Sequence, residues 1–428
     1  MFYFLSFFYV LFLRIFLPQL NRSEGENLLT FLIVSFVLYL FILRYTHKVT
    51  LDRIFILGIL LRVSCLFTIP VLSDDFYRFL WDGFLTSQGN SPFAYTPLDW
   101  MIKNGFSQTN LLEIYEKLNS KNYYSVYPMT LQLLFAIPWI LGLDQLFHQV
   151  VCLQLVLFIF DICNLILVKK KSQDPHMYWI FVGNPLLILD SASQIHFEGM
   201  ILFLLIIILI QLKERKFFIS AIVFSILTQT KINFLFLTPG FAKNKTKREQ
   251  IHLAWIILLS ILFLFFTVFL NVSAQLESGV GLFFHSFRFN SLVEQIFYLL
   301  LFPFPTLRYL SGSLALMVGA MVYLWTLYWY DIPNEICLLL GMLFLLLFSP
   351  VLHSWYFIPF VGVSFYLGYH VSFSILLSIF ALLSYLLYSF TSPTFAIALG
   401  LMELFIIGVY IWKIKPLSFL QKIPFSEG

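Results

Sequence analysis

The sequence predicts an all-α, polytopic membrane protein, and three observations carry that prediction. Mean hydropathy is +0.88. Hydrophobic residues make up 60% of the 428 and charged residues only 11%, about half the charge of a soluble domain. Apolar runs recur at or near the length that crosses a bilayer, which leads us to expect about 12–14 spans in a single integral-membrane unit over residues 1–428. The net charge of +4 does not argue for nucleic acid, because the positive residues cluster in short loops, as membrane topology requires. The four cysteines (Cys65, Cys152, Cys163, Cys337) stand mostly in apolar stretches without pairing or metal spacing, and read as small buried hydrophobes. The first segment lacks a basic leader and runs into Arg14 without a small-residue cleavage site, so no cleavable signal peptide is expected.

Taken in order, segment 2–20 reads as a span, 21–27 as a polar turn and 28–44 as a second span. Arg44, His47, Lys48 and Arg53 make the next loop cytoplasmic. A third span, 54–72, then delivers Asp74 and Asp75 to the opposite side, at the start of a polar loop over 73–128 that holds a short amphipathic helix near Leu111–Asn119. The apolar stretch 129–143 is expected at the interface. Parity requires this, because span 147–168 ends at Lys169-Lys170-Lys171, the strongest cytoplasmic marker. Spans 177–190 and 199–212 go out and return. Two shorter segments, 217–229 and 232–242, flank Lys231 and end at a basic run from Lys243 to Arg248. Span 251–270 leads to a second outer loop with His285, Arg288 and Asn290, and 292–307 is expected to lie in the interface. Spans near 309–330, 336–351, 355–370, 372–390 and 395–413 complete the chain, with 414–428 as a cytoplasmic tail.

The polar clusters that cytoplasmic charge does not explain all fall on one side in this topology. The densest is Ser73-Asp74-Asp75-Phe76-Tyr77-Arg78-Phe79-Leu80-Trp81-Asp82-Gly83. If helical, it sets Asp74 or Asp75, Arg78 and Asp82 on one face by i, i+3/i+4 spacing. Phe76, Phe79, Leu80 and Trp81 lie elsewhere on that helix and are expected to bury it at a membrane surface. Gly89 is the expected stop, with Pro92 just beyond. Charge this dense beside a span marks a functional site by default. The plainer alternative is that Arg78 only neutralises the carboxylates and staples the loop.

This block, followed by Gly89-Asn90-Ser91-Pro92-Phe93, resembles the first outer loop of bacterial polytopic mannosyltransferases of the GT-C superfamily, which use polyprenyl-phosphate sugars. Weaker likenesses follow in the family's order. They are Tyr127-Pro128-Met129 for a Tyr-Pro-Pro motif, Gly183-Asn184-Pro185 with Ser193 to Glu198, Lys231, Phe287-Arg288-Phe289-Asn290-Ser291, and His353-Ser354-Trp355-Tyr356. The resemblance implies a GT-C helical bundle in a membrane, a bacterial inner or plasma membrane. Its active site would be extracytoplasmic and would move a hexose, mannose in the closest relatives, from a polyprenyl-phosphate donor to a lipid-linked or glycan acceptor.

An outer face holds no nucleotide sugars, so the donor must arrive on a lipid. Transfer from such a donor asks for a carboxylate as general base and for cations or hydrogen-bond donors on the departing phosphate. The resemblance points to Asp75 as the base, with Asp74 as the alternate. It also implies a possible divalent cation (Mg or Mn) at Asp74 and Asp75, although an acidic pair alone does not make a metal site. Arg78, Asp82, Tyr127, His196, Glu198, Lys231, Arg288, Asn290, His353, Trp355 and Tyr356 are the candidate substrate contacts. Several have structural alternatives. His196 can close a helix end, Lys231 can snorkel, and Trp355 and Tyr356 can be aromatic-belt anchors. A lipid-linked-sugar transporter or flippase would instead place charges near span midplanes, and a non-catalytic subunit would have lost the acidic pair. Asp161 and Asn164 are expected to be satisfied inside the bundle.

Overall fold

The computed structural model describes residues 1–105, 109–269 and 271–413. The expected tail over 414–428 lies outside them. The described chain is helical throughout, with no strand and one isolated bridge between Phe289 and Val351. Among the described residues, six helices are long and apolar enough to cross a bilayer: Phe2–Gln19, Gly25–Leu43, Leu146–Lys171, Lys247–Thr267, Ser311–Trp329 and Val371–Tyr388. A seventh crossing is made if Pro185–Gln194 and Glu198–Lys213, bent by 115°, count as one span. Most of the remaining expected spans are present as apolar helices of 10–17 residues. The all-α membrane architecture is therefore as the sequence predicts, but many of its apolar runs are broken helices.

The breaks have identifiable causes. The expected span 54–72 is helical only over Leu51–Cys65, and the chain then runs irregularly to Asp74. Pro70 has no N–H to continue the helix. Two glutamine side chains satisfy much of the freed backbone instead. Gln154 accepts from the Phe67 N–H at 3.0 Å and donates to the Thr68 carbonyl at 2.8 Å. The Gln194 oxygen accepts from the N–H groups of Val71 at 3.1 Å and Leu72 at 2.9 Å. Unwound backbone beside a membrane span persists only where protein groups satisfy it in this way. Segment 177–190 breaks likewise into Pro175–Val182 and Pro185–Leu189. There the Asn184 oxygen accepts from the Leu186 N–H at 3.0 Å and caps the second piece.

The motif block forms a helix over Asp75–Ser87, and Gly89, at φ +72°, supplies the left-handed residue just beyond its end. Its apolar face is not turned to a membrane surface. Phe76, Phe79, Leu80 and Trp81 are all buried inside the protein. They pack with the helix Met129–Ile140 and neighbouring loop helices. Phe79 stacks on Phe135 at 4.7 Å and Trp81 meets Trp100 edge-on at 5.6 Å. The indole N–H of Trp139 donates to the Leu80 carbonyl at 2.8 Å. Gly83 makes this approach possible, since a Cβ there would lie 2.0 Å from the Phe135 carbonyl oxygen. The helix in the stretch 129–143 thus packs one face against the motif helix, while Leu133, Ile140 and Leu141 stay exposed on the other side.

The segment 292–307 is not a span: it forms two short helices, Glu294–Leu300 and Pro305–Tyr309, with Leu299 and Leu300 exposed. Within the bundle, the Asp161 carboxylate accepts from Ser191 Oγ at 2.7 Å and faces the buried Arg62 at 3.9 Å. Asn164 donates to the Gly199 carbonyl at 2.8 Å.

Candidate active site

A cavity of about 570 Å³ opens at the start of the motif helix. Stretches far apart in sequence build its walls: the motif helix with its flanking loop, the bend at 196–198, the break at Lys231, the loop 279–289 and the turn 351–356, with Arg22 and Tyr388 beside them. Every candidate contact named from the sequence lines it except Asp82 and Asn290.

Those two are displaced for clear reasons. Asp82 is fully buried behind the cavity wall. Its Oδ1 accepts from Arg78 Nε at 2.9 Å, and its Oδ2 accepts from Ser125 Oγ at 2.5 Å and Gln132 Nε2 at 3.5 Å. It organises the loop and does not line the site. Asn290 turns away from the cavity and donates through Nδ2 to both carboxylate oxygens of Glu403, at 3.2 and 3.1 Å.

Three carboxylates remain on the wall. Asp74 is clamped by Arg22, whose Nη1 and Nη2 reach its two oxygens at 3.1 and 2.9 Å, and Asn119 adds a bond at 3.2 Å. Such a fork is the strong geometry of an Arg–carboxylate pair. Glu198, first residue of the helix Glu198–Lys213, accepts from Lys231 Nζ at 2.7 Å. Asp75 differs from both. Its carboxylate has neither a hydrogen bond nor an ion pair among the described residues, and only its backbone N–H is engaged, with Ser73 Oγ at 3.3 Å. Burial pushes the Asp75 carboxyl above the ordinary carboxylate range. The charges of Asp74 and Glu198 add to that push, while His196 and Arg22 pull back. A carboxylate held bare and raised in this way suits proton abstraction near neutral pH.

The cations are placed around it. Lys231, at the break between Phe217–Thr230 and Ile232–Ala242, lies 3.5 Å above the Tyr356 ring as well as on Glu198. Arg288 is anchored by Glu294 through Nε at 2.8 Å and by Ser311 through Nη2 at 3.1 Å, leaving Nη1 without a partner among the described residues. Arg78 donates through Nη1 to the carbonyls of Ser120 at 3.1 Å and Tyr123 at 2.8 Å, while its buried Nη2 has no partner. It therefore staples the loop, as the plainer sequence reading has it, and keeps one N–H group unspent at the cavity wall.

The far wall is aromatic. Trp355 is stacked between His196 at 3.9 Å and His353 at 4.3 Å, and Phe289 covers the other face of His353 at 4.5 Å. Burial drives the His353 imidazole down to about 3, so it is neutral in the working range. Tyr127 stands edge-on to Phe79 at 5.0 Å, and burial beside Asp75 raises its hydroxyl.

The carboxylate pair does not fit a divalent ion. Arg22 already occupies both oxygens of Asp74, and no group of three or more His, Cys, Asp or Glu donors exists among the described residues. Arg22 itself escaped the sequence reading, which passed over 21–27 as a polar turn. The signal was present, since an arginine on the side opposite the basic loops runs against the charge bias of topology. Tyr388, under Arg22 at 4.8 Å, gave no such signal.

Residues 26–244, just over half of the chain, match the family model of the MptA_B family, described as alpha-(1->6)-mannopyranosyltransferase, N-terminal domain. No curated protein and no solved structure gives a significant match. The matched region holds the whole motif helix, the bend at His196 and Glu198, and Lys231, while the loop 279–289, the turn 351–356, Arg22 and Tyr388 complete the cavity from outside it. The chain belongs to this GT-C type mannosyltransferase family and is a membrane-integral glycosyltransferase that takes a sugar donor and a glycan or lipid acceptor.

Proposed function

We propose that the protein transfers mannose from a polyprenyl-phosphate donor to a hydroxyl of a lipid-linked or glycan acceptor on the extracytoplasmic side, forming the α-(1→6) linkage of the family's description. The observation that carries this reading is the isolation of Asp75 between two carboxylates that each hold a cation. In the step proposed, the acceptor oxygen attacks the anomeric carbon while Asp75 takes its proton. The bond from the anomeric carbon to the phosphate oxygen breaks, and the polyprenyl phosphate departs with the electron pair. Lys231 and Arg288 receive the developing phosphate charge, a role preorganised cations fill well in a dry cavity. No step passes through a metal.

A lipid-borne donor is favoured by the mixture of cations and apolar side chains on one wall, where Val126, Ile232, Val280 and Phe284 lie beside Lys231 and Arg288. The extracytoplasmic assignment rests on the basic loops, which the topology expected from the sequence sets opposite the motif.

The test supplies purified protein in lipid with radiolabelled polyprenyl-phosphate mannose and, separately, a nucleotide-activated mannose. A membrane extract serves as acceptor source. Label should pass only from the lipid donor, and linkage analysis of the product should report an α-(1→6) bond. Transfer from the nucleotide sugar alone would overturn the donor assignment.

A further inference from the structure

Asp190 stands outside the candidate contacts, yet the structure gives it three partners. It follows the short helix Pro185–Leu189, and its side chain is wholly buried. Its Oδ1 is 3.1 Å from His196 Nδ1 and accepts from Tyr385 Oη at 2.6 Å, and its Oδ2 accepts from Ser354 Oγ. The geometry suits an Nδ1–H donated to Asp190, the tautomer that leaves Nε2 of the ring as an acceptor. Nε2 is buried and has no partner. A buried polar atom without a partner is uncommon enough in a folded protein to need a reason. Stacking on Trp355 at 3.9 Å and 26° fixes the plane of the ring, and Asp190 fixes its rotation. His196 lines the cavity together with Asp75.

We propose that Asp190 is a positioning residue that locks His196 in the Nδ1–H tautomer, so that Nε2 accepts the hydrogen of a sugar hydroxyl beside Asp75. The inference rests on the reading of this cavity as a sugar-transfer site. It adds a residue whose effect on the substrate passes entirely through the imidazole. The structural competitor is clear: Asp190 also ties the turn Ser354–Phe357 to the helix Val371–Tyr388 through Ser354 and Tyr385.

The test uses the full chain in lipid nanodiscs with ¹⁵N-labelled histidine, comparing wild type with Asp190→Asn, Asp190→Glu, His196→Gln, Ser354→Ala and Tyr385→Phe. His196→Gln identifies the His196 signals, which in wild type should carry the Nδ1–H signature. Asp190→Asn should lose that signature and lower kcat for mannosyl transfer by about tenfold or more, by analogy with the loss on removing the outer partner of a metal-bound imidazole, with KM for the donor little changed. Asp190→Glu should recover part of both. Tyr385→Phe and Ser354→Ala should keep the tautomer and most of kcat. An unchanged His196 tautomer in Asp190→Asn, or an equal kcat loss in Tyr385→Phe, would overturn the proposal. Should the wild type transfer no mannose from the lipid donor, the substrate reading fails, while the spectra still decide the tautomer.

Discussion

Asp75 and Asp82 stand about two turns apart on one helix, yet the loop that follows treats them in opposite ways. Around Asp82 it supplies Ser125 and, from the next helix, Gln132, while Arg78 closes in from the preceding turn. Around Asp75 it supplies nothing, and the cations that might have neutralised it are engaged by Asp74 and Glu198. Saturation makes Asp82 part of the architecture. Isolation makes Asp75 available for chemistry. Residue type and helical face are alike for both, and the count of unspent partners is the ground on which Asp75 rather than Asp82 is proposed as the base.

The largest expected effect breaks the comparison at Asp75. Asp75→Asn should lower mannosyl transfer by roughly 10²–10⁴-fold, the usual worth of a positioned base, with membrane insertion and gel-filtration behaviour unchanged. Because burial holds this carboxyl up, the folded state binds the proton more readily than the unfolded chain. Stability therefore falls as pH rises through the raised value and stays lower above it. The amide should thus unfold no earlier than wild type at neutral pH. Wild-type transfer rates in this variant would remove the base assignment.

Next comes Asp82. Asp82→Ala leaves Arg78 buried beside a vanished partner and should cost about 3–5 kcal/mol of stability, read as a lowered unfolding temperature and reduced yield. Transfer per folded molecule should suffer far less than in Asp75→Asn. If Asp82→Ala proves stable but inactive, the two residues have been assigned the wrong way round.

A smaller effect sharpens the Asp75 side. Arg22 lowers the Asp75 carboxyl and Asp74 raises it, so removing the guanidinium exposes the first acid to an unpaired second one. Arg22→Ala should move the acid limb of the pH–rate profile to higher pH by about one unit. A limb that stays in place or moves down would contradict the pairing.

The least effect lies in the aromatic wall. His353 is neutral down to about 3 in the folded state, whereas a free imidazole takes its proton near 6.5. The unfolded chain binds more protons between those values, so stability is lost as pH falls through that window. His353→Gln should flatten the acid slope of the unfolding temperature, by on the order of a few degrees at pH 5. An unchanged slope would mean that other groups carry the acid sensitivity.

Much of this was legible in the sequence because membranes enforce sidedness. Hydropathy and the basic loops located the apolar runs, and the density of Ser73 to Gly83 pointed to one end of the cavity while Lys231, Arg288 and His353 pointed to its other walls. What stayed hidden depends on contacts over long separations. No local pattern pairs Arg22 with Asp74, or places Ser125 and Gln132 on Asp82. Asn290 shares its stretch with Arg288, yet a bond to Glu403 takes it out of the site. The apolar run 54–72 reads as one span because hydropathy registers neither Pro70 nor the distant glutamine side chains that satisfy its unwound end. The burial of Phe76, Phe79, Leu80 and Trp81 was foreseeable, but not what they bury against, since a helix facing lipid and one facing protein share the same composition.

That unwound end has a consequence for how the motif helix is aimed. In a continuous helix, each residue gained or lost between Cys65 and Asp75 would swing the acid by about 100° around the axis. Here the connection is an open strap moored by the amides of Gln154 and Gln194. The direction in which Asp75 points is thus uncoupled from the rotation of the helix that precedes it.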